Sequence, residues 1–106
     1  MNSEQVLAVQ KDIVRVLKNI YDPEIPVSIY ELGLIYEINV EESGATKIVM
    51  TLTAPNCPIA DQIVDDVREQ VGNVPGVTSA AVDLVFEPAW NKDMMSDEAK
   101  LQLGFL

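Results

Sequence analysis

This 106-residue sequence contains no histidine and a single cysteine, Cys57. Without histidine, one cysteine cannot assemble the four N/S ligands of a zinc site within the chain. A cysteine nucleophile would also lack an imidazole base from the same chain, which argues against a thiol hydrolase. A lone cysteine forms no internal disulfide, in keeping with a reducing compartment. Long hydrophobic runs are missing as well: none approaches the ~18–20 apolar residues that span a bilayer. The opening stretch Met1-Asn2-Ser3-Glu4-Gln5 has neither a basic region nor an apolar signal core, so a cytoplasmic protein is expected. Basic residues are scarce, 7 against 17 acidic ones, for a net charge of −10. Affinity for nucleic acid comes largely from Lys and Arg neutralising phosphates, so nucleic acid is excluded as a partner, and anionic membrane surfaces with it. The glycines, at 33, 44, 72, 76 and 104, are scattered and form no phosphate loop.

What is present suffices for one domain spanning residues 1–106, because 48% of the residues are apolar and can build a core without disulfide or metal. Val6, Val9, Ile13, Leu17 and Ile20 recur at helical spacing, with Asn2 or Ser3 as cap. Tyr21-Asp22-Pro23-Glu24-Ile25-Pro26 ends that helix. Leu34, Tyr36, Ile38 and Val40 then alternate with Ile35, Glu37, Asn39 and Glu41. After the turn Glu42-Ser43-Gly44, Ile48, Met50 and Leu52 alternate with Val49, Thr51 and Thr53, which predicts an antiparallel hairpin. A second helix runs from Ile59/Ala60 through Ile63, Val67 and Val71 to Gly72-Asn73. Val82, Leu84 and Phe86 give a third strand, and Ser96-Asp97-Glu98 caps a short final helix. The predicted fold is a two-layer α/β domain of order α-β-β-α-β-α with a small mixed sheet. Strands two and three, joined through a helix, should run parallel if they are neighbours.

Cys57 lies where strand pattern gives way to helix pattern, in Thr51-Leu52-Thr53-Ala54-Pro55-Asn56-Cys57-Pro58. Pro58 suits the first helical position, which puts Cys57 near the N-cap. Free backbone N–H groups and the positive dipole end there favour a thiolate, the form that ligates soft metals and exchanges with thiols. Thr51 and Thr53 share a strand face and are candidates to donate hydrogen bonds beside it. A second proline-rich elbow, from Asp22 to Leu34, holds Asp22, Glu24 and Glu31. These carboxylates serve either as hard ligands and proton carriers near Cys57, or as a solvated helix-to-strand connector with ordinary turn chemistry. Close approach would raise the thiol pKa and oppose the helix N-terminus. Trp90, Met94 and Met95 form a lid over Cys57, a partner contact, or a strap on the sheet edge.

Three segments together resemble a known family: Asp22-Pro23-Glu24-Ile25-Pro26-Val27-Ser28-Ile29-Tyr30-Glu31-Leu32-Gly33-Leu34, Thr51 through Pro58, and Trp90-Asn91-Lys92-Asp93-Met94-Met95-Ser96. They are similar to the small iron–sulfur assembly-associated proteins of the SUF-system T type. That family also includes PaaD-like proteins and the eukaryotic cytosolic iron–sulfur targeting factor. The resemblance runs from about Val6 to Gly104, with three motifs in the family's order. It implies a domain similar to the iron–sulfur cluster assembly domain and a non-enzymatic role in cluster maturation. It places the key cysteine on Cys57, supported by Asp22, Glu24, Glu31, Thr51, Thr53, Asn56 and Trp90. Ser28 and Glu31 stand where the family often has Asn and Asp, keeping polarity and charge. The implied cargo is an iron–sulfur cluster or iron, held transiently, and the implied partners are the assembly machinery and client apo-proteins. One thiolate cannot satisfy a cluster that prefers four. Two Cys57 residues across a homodimer, or one completed by a partner or a small thiol, are therefore expected. The alternatives are an adaptor that binds no metal, and a PaaD-like factor serving one multicomponent oxygenase.

Overall fold

The computed structural model describes residues 2–21, 26–52 and 60–104. Helix α1 covers Ser3–Leu17. Its cap is reciprocal: the Gln5 N–H donates to Asn2 Oδ1 at 2.8 Å, and the Asn2 N–H donates to Gln5 Oε1 at 2.9 Å. Two otherwise orphaned donors are thereby satisfied. Val9, Ile13 and Leu17, four residues apart, form the buried stripe of the helix. Strands β1 (Ile35–Val40) and β2 (Ala45–Met50) make the antiparallel hairpin expected from their alternation. Helix α2 (Ala60–Gly72) then carries the chain to β3 (Ser79–Leu84), which pairs in parallel with β2. The sheet order is β1-β2-β3. A short 3-10 turn, Lys92–Met94, precedes helix α3 (Asp97–Gln102), whose cap is the Ser96 hydroxyl accepting from Ala99 N at 3.1 Å. The α/β architecture and the parallel pairing read from the sequence are thus those of the structure.

Helix α1 packs on β1 and α2, and α2 packs on β3, so both long helices cover one face of the sheet. Between them Ile13, Leu17, Ile48, Met50, Val67 and Val71 are fully buried. Because strand side chains alternate between faces, Lys47 and Val49 point the other way from Ile48 and Met50. With Glu37 and Asp83 they line a groove on the face that α1 and α2 do not cover. The two turns at the far end of the sheet are tied together: Thr78 N donates to the Gly44 carbonyl at 3.0 Å, and Thr78 Oγ1 to the Ser43 carbonyl at 3.2 Å.

Two details differ from the alternation in the sequence. Tyr36 does not share the core face with Ile38 and Val40. Ile35 pairs with Met50 and Glu37 with Val49, so Tyr36 is the extra residue of a β-bulge. The bulge lets Ile35 pack on the core and sends Tyr36 to the groove side. Phe86 does not continue β3. The last bond of that edge is Val85 N to the Met50 carbonyl at 2.8 Å, after which the chain leaves the sheet and Phe86 is 39% exposed.

Candidate functional site

The elbow after α1 is organised by main-chain bonds from residue 28 onward. Ser28 bridges Tyr21 in an isolated antiparallel pair, and Ile29 N donates to the Ile20 carbonyl at 2.8 Å. A tight turn follows, with Leu32 N on the Ser28 carbonyl at 3.0 Å, Gly33 N on Tyr30 at 3.1 Å and Leu34 N on Ile29 at 3.2 Å. Ser28, only 4% exposed, accepts from Glu31 N through its hydroxyl at 3.2 Å. Ile29, Leu32 and Leu34 are fully buried, so the apolar half of the motif anchors the turn in the core.

Three residues singled out in the sequence meet on this turn. The Glu31 carbonyl accepts from Ser96 N at 2.9 Å, fixing the start of α3 beside it. Trp90 Nε1 donates to the Leu32 carbonyl at 2.7 Å. Thr51 N donates to the Leu34 carbonyl at 2.8 Å. Segments far apart in the chain therefore converge on residues 28–34. The Trp90–Met95 stretch is a strap lying against this turn, with Met95 sunk into the core and the Met94 thioether sulfur 3.6 Å from the Tyr36 hydroxyl. Trp90→Phe removes the indole donor and leaves the Leu32 carbonyl without it. A loss of about 1 kcal/mol is expected, read as a lower urea midpoint at unchanged slope.

Thr51 lies just past β2 and is 1% exposed, and its buried Oγ1 has no hydrogen-bond partner among the described residues. A buried hydroxyl left without any partner costs about 1–3 kcal/mol, which makes this atom the polar group to account for next to the Cys57 segment in sequence. Glu31 is 20% exposed in its side chain, with Oε1 3.9 Å from Lys18 Nζ, and Lys18 Nζ also lies 5.4 Å from the centroid of the Tyr30 ring. Lys18, Tyr21, Ser28, Glu31, Glu98 and Gln102 line a small polar cleft of about 270 Å³ at this end of α1. Among the described residues no group of three or more His, Cys, Asp or Glu side chains gathers to hold a metal ion.

Asp22, Glu24, Thr53, Asn56 and Cys57 lie outside the described residues. Of the site read from the sequence, Glu31, Thr51 and Trp90 are brought together, on main-chain carbonyls rather than side chain to side chain. Sequence reasoning missed Lys18 and Gly33. Lys18 carries only the weak signal of a cation at a helix C-terminus. Gly33 has φ +80 and no room for a Cβ against the Met94 carbonyl. Its signal was a glycine in a short turn, which does not say what passes over it. Among the described residues no helix is long and apolar enough to cross a membrane.

The family described as "Iron-sulfur cluster assembly protein" matches residues 10–84. A Porphyromonas gingivalis protein named Fe-S protein maturation auxiliary factor is 58% identical over 106 residues, covering 100% of both chains. The Fe-S protein maturation auxiliary factor SufT of Staphylococcus aureus is 41% identical over 85 residues, 80% of this chain and 97% of that one. A crystal structure of a domain of unknown function from Bacillus anthracis superposes with a TM-score of 0.90 at 38% identity, covering 99% of this chain and 100% of that one. The turn at 28–34 and the strand end at Thr51 both fall inside the matched region. The chain belongs to the iron–sulfur cluster assembly protein family.

Proposed function

We propose that this protein is a maturation factor that carries iron or an iron–sulfur cluster transiently on the Cys57 thiolate and delivers it to client apo-proteins. The observation that carries the reading is the buried Thr51 hydroxyl, which has no partner among the described residues, precedes the Cys57 segment in the chain, and belongs to a residue whose N–H is bonded to the turn that also holds Glu31 and Trp90. Such a group is costly in the unloaded protein and gains a partner when a polar cargo or its sulfur ligand arrives. Hydrogen bonds to sulfur are among the means by which a protein tunes a cluster. The Glu31 carboxylate, held near Lys18, would offer a hard oxygen at the cleft mouth. Nothing in this role requires bond-making on an organic substrate, so the protein acts as a non-catalytic carrier in the cytoplasm.

The test is client maturation. Protein carrying Cys57→Ser, matched to wild type by circular dichroism, should fail to restore a [4Fe–4S] dehydratase in anaerobic extract depleted of this protein. Equal restoration by the variant would leave only the adaptor reading. The orphaned hydroxyl gives a second expectation of opposite sign for stability and function. Thr51→Val should stabilise the unloaded protein by about 1 kcal/mol, because the buried polar atom is removed. It should at the same time lower the amount of iron and sulfide retained. A destabilised Thr51→Val protein would mean that the hydroxyl is satisfied in solution.

A further inference from the structure

The groove on the uncovered sheet face borders the 28–34 turn at Gly33, includes neither Thr51 nor Trp90 in its lining, and encloses about 760 Å³. Its floor is an apolar strip of Val49 and Val85, with Ile35 at one end where the bulge turns it toward the core, and its wall is the strap, through Pro88 and Met94. The wall is fixed in place: the Tyr36 hydroxyl, turned outward by the β-bulge, donates to the Pro88 carbonyl at 2.6 Å. A groove of this kind is preformed rather than opened by its occupant.

Its charge is one-sided. Glu37, Asp83 and Glu87 line it against a single cation, Lys47, whose Nζ is 3.7 Å from Asp83. With that pair matched, Glu37 and Glu87 are left as two exposed carboxylates flanking the apolar strip, without an ion pair among the described residues. A second copy of a chain with net charge −10 is a poor occupant, since it would bring further carboxylates to the same place. The complement is an extended segment with bulky apolar side chains on one face and Lys or Arg at its flanks. An extended chain alternates its side chains, so it can seat apolar residues on the strip while its cations reach the rim.

We infer that this groove docks an extended, basic–apolar segment of a client apo-protein. The assignment of that segment to a client rests on the maturation reading, whereas the binding itself does not. Delivery is favoured when the acceptor is also held by the carrier at a second point, which raises its effective concentration. The groove provides that second point of contact.

The experiment is a fluorescence-anisotropy titration of the full chain with a short labelled peptide alternating leucine and lysine, without iron or sulfide. The same peptide with serine for leucine, or with glutamate for lysine, serves as comparison. Wild type should bind the leucine–lysine peptide and neither of the others. The double variant Glu37→Gln/Glu87→Gln should weaken binding about fivefold, the expected sum of two exposed ion pairs, and added salt should narrow that difference. The charge-matched double variant Glu4→Gln/Glu69→Gln, altered on the exposed surfaces of α1 and α2, should bind as wild type does. Three results would overturn the inference. One is equal weakening by both double variants, which means non-specific charge attraction. Another is no binding of the leucine–lysine peptide. The third is a concentration-dependent dimer, strengthened by Glu37→Gln/Glu87→Gln, which means that a second copy fills the groove. Since the titration needs no cargo, it can fail while Cys57 still carries iron and sulfide, and the reverse holds equally.

Discussion

Gly33→Ala is expected to cost about 3 kcal/mol or more, a large share of the roughly 5–15 kcal/mol that stabilises a domain of this size. Two causes add. The residue has φ +80, in the left-handed region, where a Cβ costs about 1–2 kcal/mol. A Cβ would also overlap the Met94 carbonyl and press on the Met94 side chain. The strap cannot move away freely. Trp90 is bonded to Leu32, Ser96 to Glu31, and Met95 is 5% exposed in the core on either side of the clash. Relief would therefore break a hydrogen bond or withdraw a buried side chain. Gly104 offers the comparison, because its φ is +83 but nothing lies within 4 Å of its would-be Cβ. Gly104→Ala should cost only the backbone part. Urea denaturation measures both, and the one tryptophan of the chain, Trp90, reports whether the strap has lifted through a red-shifted emission. Equal midpoints for the two alanine variants would contradict the close packing of strap on turn.

Much of the architecture was legible because it rests on side-chain periodicity. Val9, Ile13 and Leu17 had to be one helical face, and Ile48 and Met50 one strand face, whatever surrounded them. Chain order and the handedness of crossovers then left a parallel β2–β3 pair as the natural outcome. The bulge at Tyr36 was not legible. Alternation through Leu34, Tyr36, Ile38 and Val40 looks uninterrupted, and an added residue in the ladder is a property of register that no side chain announces. Phe86 was misplaced for a related reason: the alternation continues after the backbone has left the sheet.

The candidate site was legible in composition and not in geometry. Glu31 and Trp90 were identifiable as unusual residues in irregular segments, and Thr51 as a threonine on a strand face beside the Cys57 segment. What unites them is a set of carbonyls on Glu31, Leu32 and Leu34. Every residue carries a carbonyl, so nothing in the residue types at those positions marks them as acceptors. The orphaned Thr51 hydroxyl was hidden likewise, since a threonine near a strand end reads as ordinary strand propensity until its surroundings are known.

The second large effect is expected at Cys57. Cys57 is the only thiol in the chain, so one protomer cannot complete a cluster that prefers four thiolates. Loading should then be all-or-none with respect to this residue, and should recruit a second chain or a small thiol to finish the coordination. Substituting it should leave the fold intact, because the core formed by Ile13, Leu17, Ile48, Met50, Val67 and Val71 is assembled from other segments.

The most direct measurement is anaerobic incubation with iron and sulfide, in the presence of a small thiol, followed by visible absorption and by the size of the coloured species. Wild type should develop a sulfur-to-iron charge-transfer band that Cys57→Ala lacks at unchanged circular dichroism, and the band should travel with a dimer or with bound small thiol. An equally intense band in Cys57→Ala, or a coloured wild-type monomer free of added thiol, would contradict the account at its centre.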